Sequence, residues 1–153
     1  MNKISSRELR VVAIVLGFLA SFMILFPALS AGNGDSTYTG LQVTFGHEFI
    51  NLGGFGSGQI AFSILNLIAF TLPLVGALLL LFTFNGHVTS IFLFGAATVL
   101  LFLVPEFTVV SVTVLGNTNQ IDIDWTYSVG LIFAISFSMI GLLIGLFRVI
   151  KKV

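Results

Sequence analysis

The sequence predicts a helical membrane protein, a bundle of four transmembrane helices with a small outer β-sheet formed by two loops on one side. Three observations predict it. Of 153 residues, 57% are hydrophobic and only 8% are charged, whereas soluble domains carry about 25% charged residues because their surface faces water. Residues 11–29, 60–84, 88–104 and 127–147 contain no Asp, Glu, Lys, Arg or His, and crossing roughly 30 Å of hydrocarbon takes about 20 helical residues. The charges are also sorted along the chain. Lys3, Arg7, Arg10, Arg148, Lys151 and Lys152 lie at the two ends, while Asp35, Glu48, Glu106, Asp122 and Asp124 lie between apolar stretches. One domain over residues 1–153 is the natural count for this length.

The first span follows basic residues, and Lys or Arg beside a span stays on the cytoplasmic side. A cleavable signal peptide is the rival reading, because small residues at Ala28-Leu29-Ser30-Ala31 resemble a cut site. Cleavage would leave three spans and an outer N-terminus. Asn85-Gly86-His87 is a tight inner turn joining the second and third spans. Trp125 and Tyr127 open the fourth at the headgroup layer, and Arg148 and Lys151 close it opposite. Four spans put both termini in the cytoplasm of a cell with the chain in its plasma membrane. The lipid bilayer is then the first partner.

The outer loops are residues 30–59 and 105–126. Within the first, residues 37–45 alternate, with Leu41, Val43 and Phe45 on one face, as a strand would. Residues 53–58, rich in glycine, read as a flexible lead into the second span. In the second loop, the β-branched residues 108–115, the turn cluster 116–119 and the alternating Ile121-Asp122-Ile123-Asp124-Trp125 read as a hairpin. Its acidic face is expected in solvent, with Ile121, Ile123 and Trp125 packed. A lone hairpin is marginal, so it is expected to pair with the first-loop strand in a cap of three or more strands.

Lipid is as apolar as leucine, so helices associate there through small residues and a few hydrogen bonds. Gly130, Ala134, Ser138, Gly141 and Gly145 form one stripe on the fourth helix, and Ala13, Gly17 and Ser21 a second on the first. These two stripes are expected to meet, with an oligomer face as the alternative use of such a stripe. Asn66 is the most polar residue at membrane depth, on the same side as Ser63 and Pro73. It reads either as an interhelical hydrogen bond, worth about 0.6–2 kcal/mol, or as a ligand contact.

Catalytic signals are thin. His47-Glu48-Phe49-Ile50-Asn51 lacks the second histidine of the zinc-protease pattern HExxH. Asp122 and Asp124, with Glu48, Asp35 or Asn119, are candidates for an oxygen-only calcium site. There are no cysteines, which removes thiolate metal sites and thiol catalysis. Proton-coupled transport and intramembrane catalysis need ionisable groups in the bilayer, and the four stretches hold none. The basic residues form no nucleic-acid footprint. No enzyme activity and no cofactor are expected.

Four spans, a long strand-bearing first outer loop, a minimal inner turn and a shorter second outer loop resemble the claudin-type tetraspan membrane proteins over the whole chain. Of that family's first-loop signature, Gly-Leu-Trp followed by two cysteines, Gly40-Leu41 match and Gln42 stands where Trp is expected. The resemblance implies a non-enzymatic structural protein whose outer loops form a sheet for lateral or cell-to-cell contact. Tyr38, Leu41, Val43, Phe45 and Trp125 are the expected contact surface, for a second copy or another membrane protein. Alternatives are an accessory subunit of a transporter or secretion complex, and a small-molecule or lipid binder using a cleft near Asn66 and Pro73.

Overall fold

A computed structural model describes residues 6–32, 34, 36–82 and 87–151. Among them the chain is mostly helical, with small antiparallel sheets between the helices. The helices are α1 (Ser6–Phe22), α2 (Gly40–Phe45), α3 (Ile64–Phe82), α4 (His87–Phe102), α5 (Val104–Phe107) and α6 (Val129–Lys151). The strands are β1 (Pro27–Ala31), β2 (Ser36–Thr39), β3 (His47–Asn51), β4 (Gly56–Ile60), β5 (Val110–Val114), β6 (Asn117–Ile121) and β7 (Trp125–Tyr127).

Three helical segments, Arg7–Leu25, Ile64–Phe82 and Val129–Ile150, are long and apolar enough to cross a membrane. The fourth, Val88–Phe102, is shorter, with α4 about 24 Å long at about 1.5 Å per residue. The expected span boundaries therefore shift. The first stretch leaves helix at Leu25 and turns into β1, Ile60 belongs to β4, and Tyr127 belongs to β7. In each case a strand takes up the sheet-side end of the apolar stretch. The tight turn expected at residues 85–87 falls mostly outside the described residues.

α1 packs on α3 and α6, and α4 packs on the same two helices. At the centre sits Phe94 of α4, 1% exposed. Three other helices meet its ring with glycine. A Cβ on Gly17 of α1 would lie 3.0 Å from the ring, one on Gly141 of α6 also 3.0 Å, and one on Gly76 of α3 3.4 Å. Gly17 would in addition meet the Ala77 Cβ and the Pro73 carbonyl oxygen, each at 2.7 Å. Polar side chains bind the same seams. Ser138 of α6 and Thr98 of α4 both donate to the Phe94 carbonyl, at 3.1 and 2.8 Å, and Ser90 donates to the Gly76 carbonyl at 3.0 Å.

The stripes expected to face each other therefore lie on different seams. Gly17 and Ala13 look toward α3, while Ser138, Gly141 and Gly145 look toward α4, where Gly145 abuts Ile91. Gly130 instead lies under the Pro27 carbonyl. Ala134 is buried in the upper core and Ser21 is half-buried. Large ring placement decided the seam, because Phe94 needs small residues on every neighbour.

Two antiparallel sheets lie beyond one end of the helices, ordered β2-β1-β7 and β3-β4-β5-β6. Both interhelical segments, between α1 and α3 and between α4 and α6, contribute to each sheet, since β1 pairs with β7 and β4 with β5. The hairpin of the second loop is present as β5–β6, with its turn at Leu115-Gly116 rather than 116–119, and Trp125 departs into the other sheet. The strand expected over residues 37–45 stops at Thr39. Thr39 accepts from the Gln42 amide (3.3 Å) and Gln42 Oε1 accepts from the Thr39 amide (2.9 Å), a reciprocal cap that starts α2. The glycine-rich lead is likewise ordered as a short 3-10 turn and β4. Phe49 lies where a Gly58 side chain would be, and the Thr113 carbonyl approaches Gly56.

Phe94→Ala is expected to cost about 2–5 kcal/mol through the cavity left among three glycine-lined helices. Gly17→Val is expected to cost about 1–3 kcal/mol by overpacking. Gly95→Ala, which meets only Leu142 at 3.7 Å, should be silent. Thermal unfolding of the three variants in detergent checks the order.

Candidate functional site

The polar centre of the molecule is built where helices meet sheets. Ser63 Oγ accepts from the Asn66 amide (3.3 Å), capping the first turn of α3. This holds Asn66, fully buried, beneath α2 and α5. Its Nδ2 donates to the Val43 carbonyl at 2.9 Å and to Thr108 Oγ1 at 3.0 Å. Thr108 in turn donates to the Val104 carbonyl (2.8 Å), and its own carbonyl accepts from Trp125 Nε1 at 3.2 Å. One amide thus ties α3 to α2 directly, and to β7 through the threonine. Each group is a strong hydrogen-bonding partner that burial would otherwise penalise. Pro73 lies deeper in α3 and is buried against α1. Asn66 and Pro73 are both buried.

An aromatic group roofs this centre. Tyr38 meets Trp125 edge-to-face, with centroids 5.8 Å apart at 86°, and Phe49 at 6.3 Å and 63°. Val43 is completely buried, and Tyr38 and Trp125 are half-buried in this cluster. Of the expected contact surface only Leu41 and Phe45 remain exposed, at 39% and 56%. The helix over residues 40–45 rotates these side chains off the single face that a strand would have given them.

Beside the centre lies a groove of about 300 Å³ walled by Glu106, Asp122, Asp124, Thr108 and Trp125. Glu48 is elsewhere. It sits on β3 opposite Gln59 and lines a second groove with His47. Asn119 is exposed on β6, and Asp35 lies outside the described residues. Among the described residues no three His, Asp or Glu side chains converge to hold a metal ion. The near-HExxH run lies on a strand, whereas the zinc-binding geometry needs its two histidines one turn apart on a helix.

At the opposite end of the helices Arg10 has a structural role the sequence did not disclose. Its Nε donates to the Leu80 carbonyl at 2.6 Å and its Nη2 to the Leu81 carbonyl at 3.1 Å. These carbonyls lie in the last described turn of α3, toward the negative end of the helix dipole. Thr108 was also missed, because Asn66 and Trp125 lie far from it in sequence. The Thr39-x-x-Gln42 capping pattern was the available signal for α2. Comparison with protein-family models, curated proteins and solved structures finds no match to this chain.

Asn66→Ala should destabilise the protein by about 1–3 kcal/mol, because Thr108 and the Val43 carbonyl lose a buried donor. Trp125 is the chain's single tryptophan and shares Thr108 with Asn66. Its emission should shift in this variant before global unfolding, as a denaturant titration followed by fluorescence would reveal.

Proposed function

We propose that this chain is a non-enzymatic membrane protein of four spans, both ends cytoplasmic, whose outer β-rich cap makes contacts with copies of itself or with another protein of the plasma membrane. The inverted polarity of the helices supports the membrane part. Val11, Phe22, Phe92, Val99, Ile132, Leu143 and Phe147 are exposed, whereas Asn66, Ser90, Thr98 and Ser138 are buried. A water-soluble bundle places these classes the other way round, and small or polar interfaces between helices suit lipid. α1, α3, α4 and α6 then form the bundle, with α4 reaching across by its continuation into α5. The likeness to claudin-type tetraspans is one of layout and favours a contact role.

The observation that carries the contact role is β6. It is an edge strand of the four-stranded sheet, and all five of its residues are exposed. It contains no Lys or Pro, the residues that usually blunt a free edge. An open strand edge accepts another strand through main-chain hydrogen bonds. The partner is thus a strand-bearing surface, first of all a second copy, and the acidic groove beside β6 adds a negative rim.

Crosslinking in intact membranes followed by mass analysis should yield a homodimer or a defined heteromer. Thr118→Lys with Gln120→Lys should abolish that product while leaving thermal stability unchanged. A protein crosslinked equally well with both lysines argues against the edge. Tags on either terminus should stay shielded from protease in unbroken cells.

A second reading, a lipid-binding membrane protein, draws on one observation. A wholly apolar crevice of about 290 Å³ runs between Met23, Phe26, Val129, Phe133 and Phe137. Native mass spectrometry should then retain a lipid on the detergent-purified chain, and a lipid-free spectrum would leave the contact reading alone.

A further inference from the structure

The β5–β6 hairpin fixes which backbone groups of β6 point outward. Its strands join at Leu115-Gly116, with φ +49 and +83, and positive φ at both residues is the mark of a two-residue type I′ turn. The residues flanking such a turn, Val114 and Asn117, exchange both main-chain hydrogen bonds, and bonded and non-bonded pairs then alternate along the ladder. Asn117, Asn119 and Ile121 therefore direct their N–H and C=O groups to β5, while those of Thr118 and Gln120 face away from the sheet. The side chains agree. Strands lie closer at a non-bonded pair, and in the pair Thr113–Thr118 the two hydroxyls meet at 2.9 Å.

β6 runs five residues without a register shift, carries no charge and is exposed throughout. The other sheet margins are blunter. β3 bears Glu48 and a register shift between Glu48 and Ile50, the pairing of β2 with β1 slips between Pro27 and Leu29, and β7 has only three residues. Charge, irregularity and short length are devices that keep an edge from pairing. β6 has neither a charge nor a bulge.

We infer that β6 pairs antiparallel with β6 of a second copy about a two-fold axis at Asn119, joining two four-stranded sheets into one. The inference rests on the contact reading above and gives it a partner and a register. Outward groups must meet outward groups, which restricts the registers to those that set Thr118 and Gln120 against their own kind. Setting Thr118 opposite Gln120 of the second copy pairs the whole of β6, and a slide by two residues in either direction shortens the paired stretch. Each copy then offers the other the same surface, as a closed dimer requires. Asn119 lies directly opposite Asn119 in a non-bonded pair, about 4.5 Å apart at Cα, and each amide is both donor and acceptor. On the other face the row of Ser111 and Gln120 continues into Thr118 and Thr113 of the second copy, so uncharged polar side chains meet. Asp122, the nearest charge in sequence, falls opposite Gly116. The two Asp122 residues stay about 20 Å apart at about 3.4 Å per residue, beyond the Debye length of about 8 Å. The strand is thus complementary to itself in shape, hydrogen bonding and charge.

The chain has no native cysteine, so single cysteines read the register. Full chains carrying Asn119→Cys, Asn117→Cys or Ile121→Cys are oxidised with copper phenanthroline in intact membranes and resolved without reductant. Trp125 emission of each purified variant, unchanged from the parent, shows that it is folded. Asn119→Cys alone should give a disulfide-linked dimer, since the expected Cα separation falls in the disulfide range of about 4.4–6.8 Å. Asn117→Cys or Ile121→Cys alone should give about tenfold less, because like positions then lie about 14 Å apart. Differently tagged chains carrying one each of these two should crosslink when co-expressed, because the two positions face one another. Equal yields from all three single variants would mean collision rather than pairing and overturn the inference. A chemically crosslinked dimer without the disulfide at 119 would place the self-contact elsewhere, and a heteromer without it would give the chain another partner. Both overturn the inference and leave the contact reading standing. If neither chemical crosslinks nor disulfides form, the contact reading fails with it.

Discussion

The structure depends on one packing constraint, the accommodation of the Phe94 ring among three helices that each offer it a glycine. A phenyl group in a bundle forces its neighbours apart unless they lack side chains at the point of contact. Here Gly17, Gly76 and Gly141 are those points, and the backbones of α1 and α3 come close enough for Gly17 to touch the Pro73 carbonyl region. Ser90, Thr98 and Ser138 then reach backbone carbonyls across or along the same seams. Close approach and polar bonding reinforce each other, because short interhelical distances are what let short hydroxyl side chains cross. This mode of association does not need water as its driving solvent.

The exterior follows from that interior. With small and polar groups committed inside, the outward helix faces carry Val, Leu, Ile and Phe. The sheets contribute Leu29, Ile60 and Val110 to the core. The two halves meet at Asn66. Its amide binds both α2, at the Val43 carbonyl, and Thr108, at the end of α5. Cap and helices are therefore coupled by a directional bond as well as by packing.

Much of this was legible in the sequence, and the failures have identifiable causes. The apolar stretches could be read because a charge-free run of that length would be hard to keep in water. Their ends could not, since Leu29 of β1, Ile60 of β4 and Tyr127 of β7 extend the charge-free runs of the helices they adjoin. Residues 37–45 alternate convincingly, yet the Thr39–Gln42 cap outweighed the alternation from Gly40 onward. The glycines at 56 and 58 suggested flexibility, but in β4 their bareness admits a neighbouring carbonyl and the Phe49 ring. Asn66 was conspicuous by polarity alone. Its partners could not be foreseen, because Val43 and Thr108 are brought to it only by tertiary structure. The first and last helices do pack on each other as the stripes suggested, but Gly17, Gly141 and Gly145 turn toward other neighbours, since motif spacing carries no information about which helix faces it.

The pairing of β1 with β7 has a consequence for biogenesis. β1 follows the first helix directly, while its partner strand precedes the last helix, so the central strand of one sheet waits for nearly the whole polypeptide to be made. Contacts of such sequence separation form late and slowly. The N-terminal helix thus enters the assembly with its following strand incomplete, and arrival of α6 closes helices and sheet in a single event. A ribosome stalled before β7 would leave β1 with one edge open, a shape that quality-control factors can recognise as unfinished.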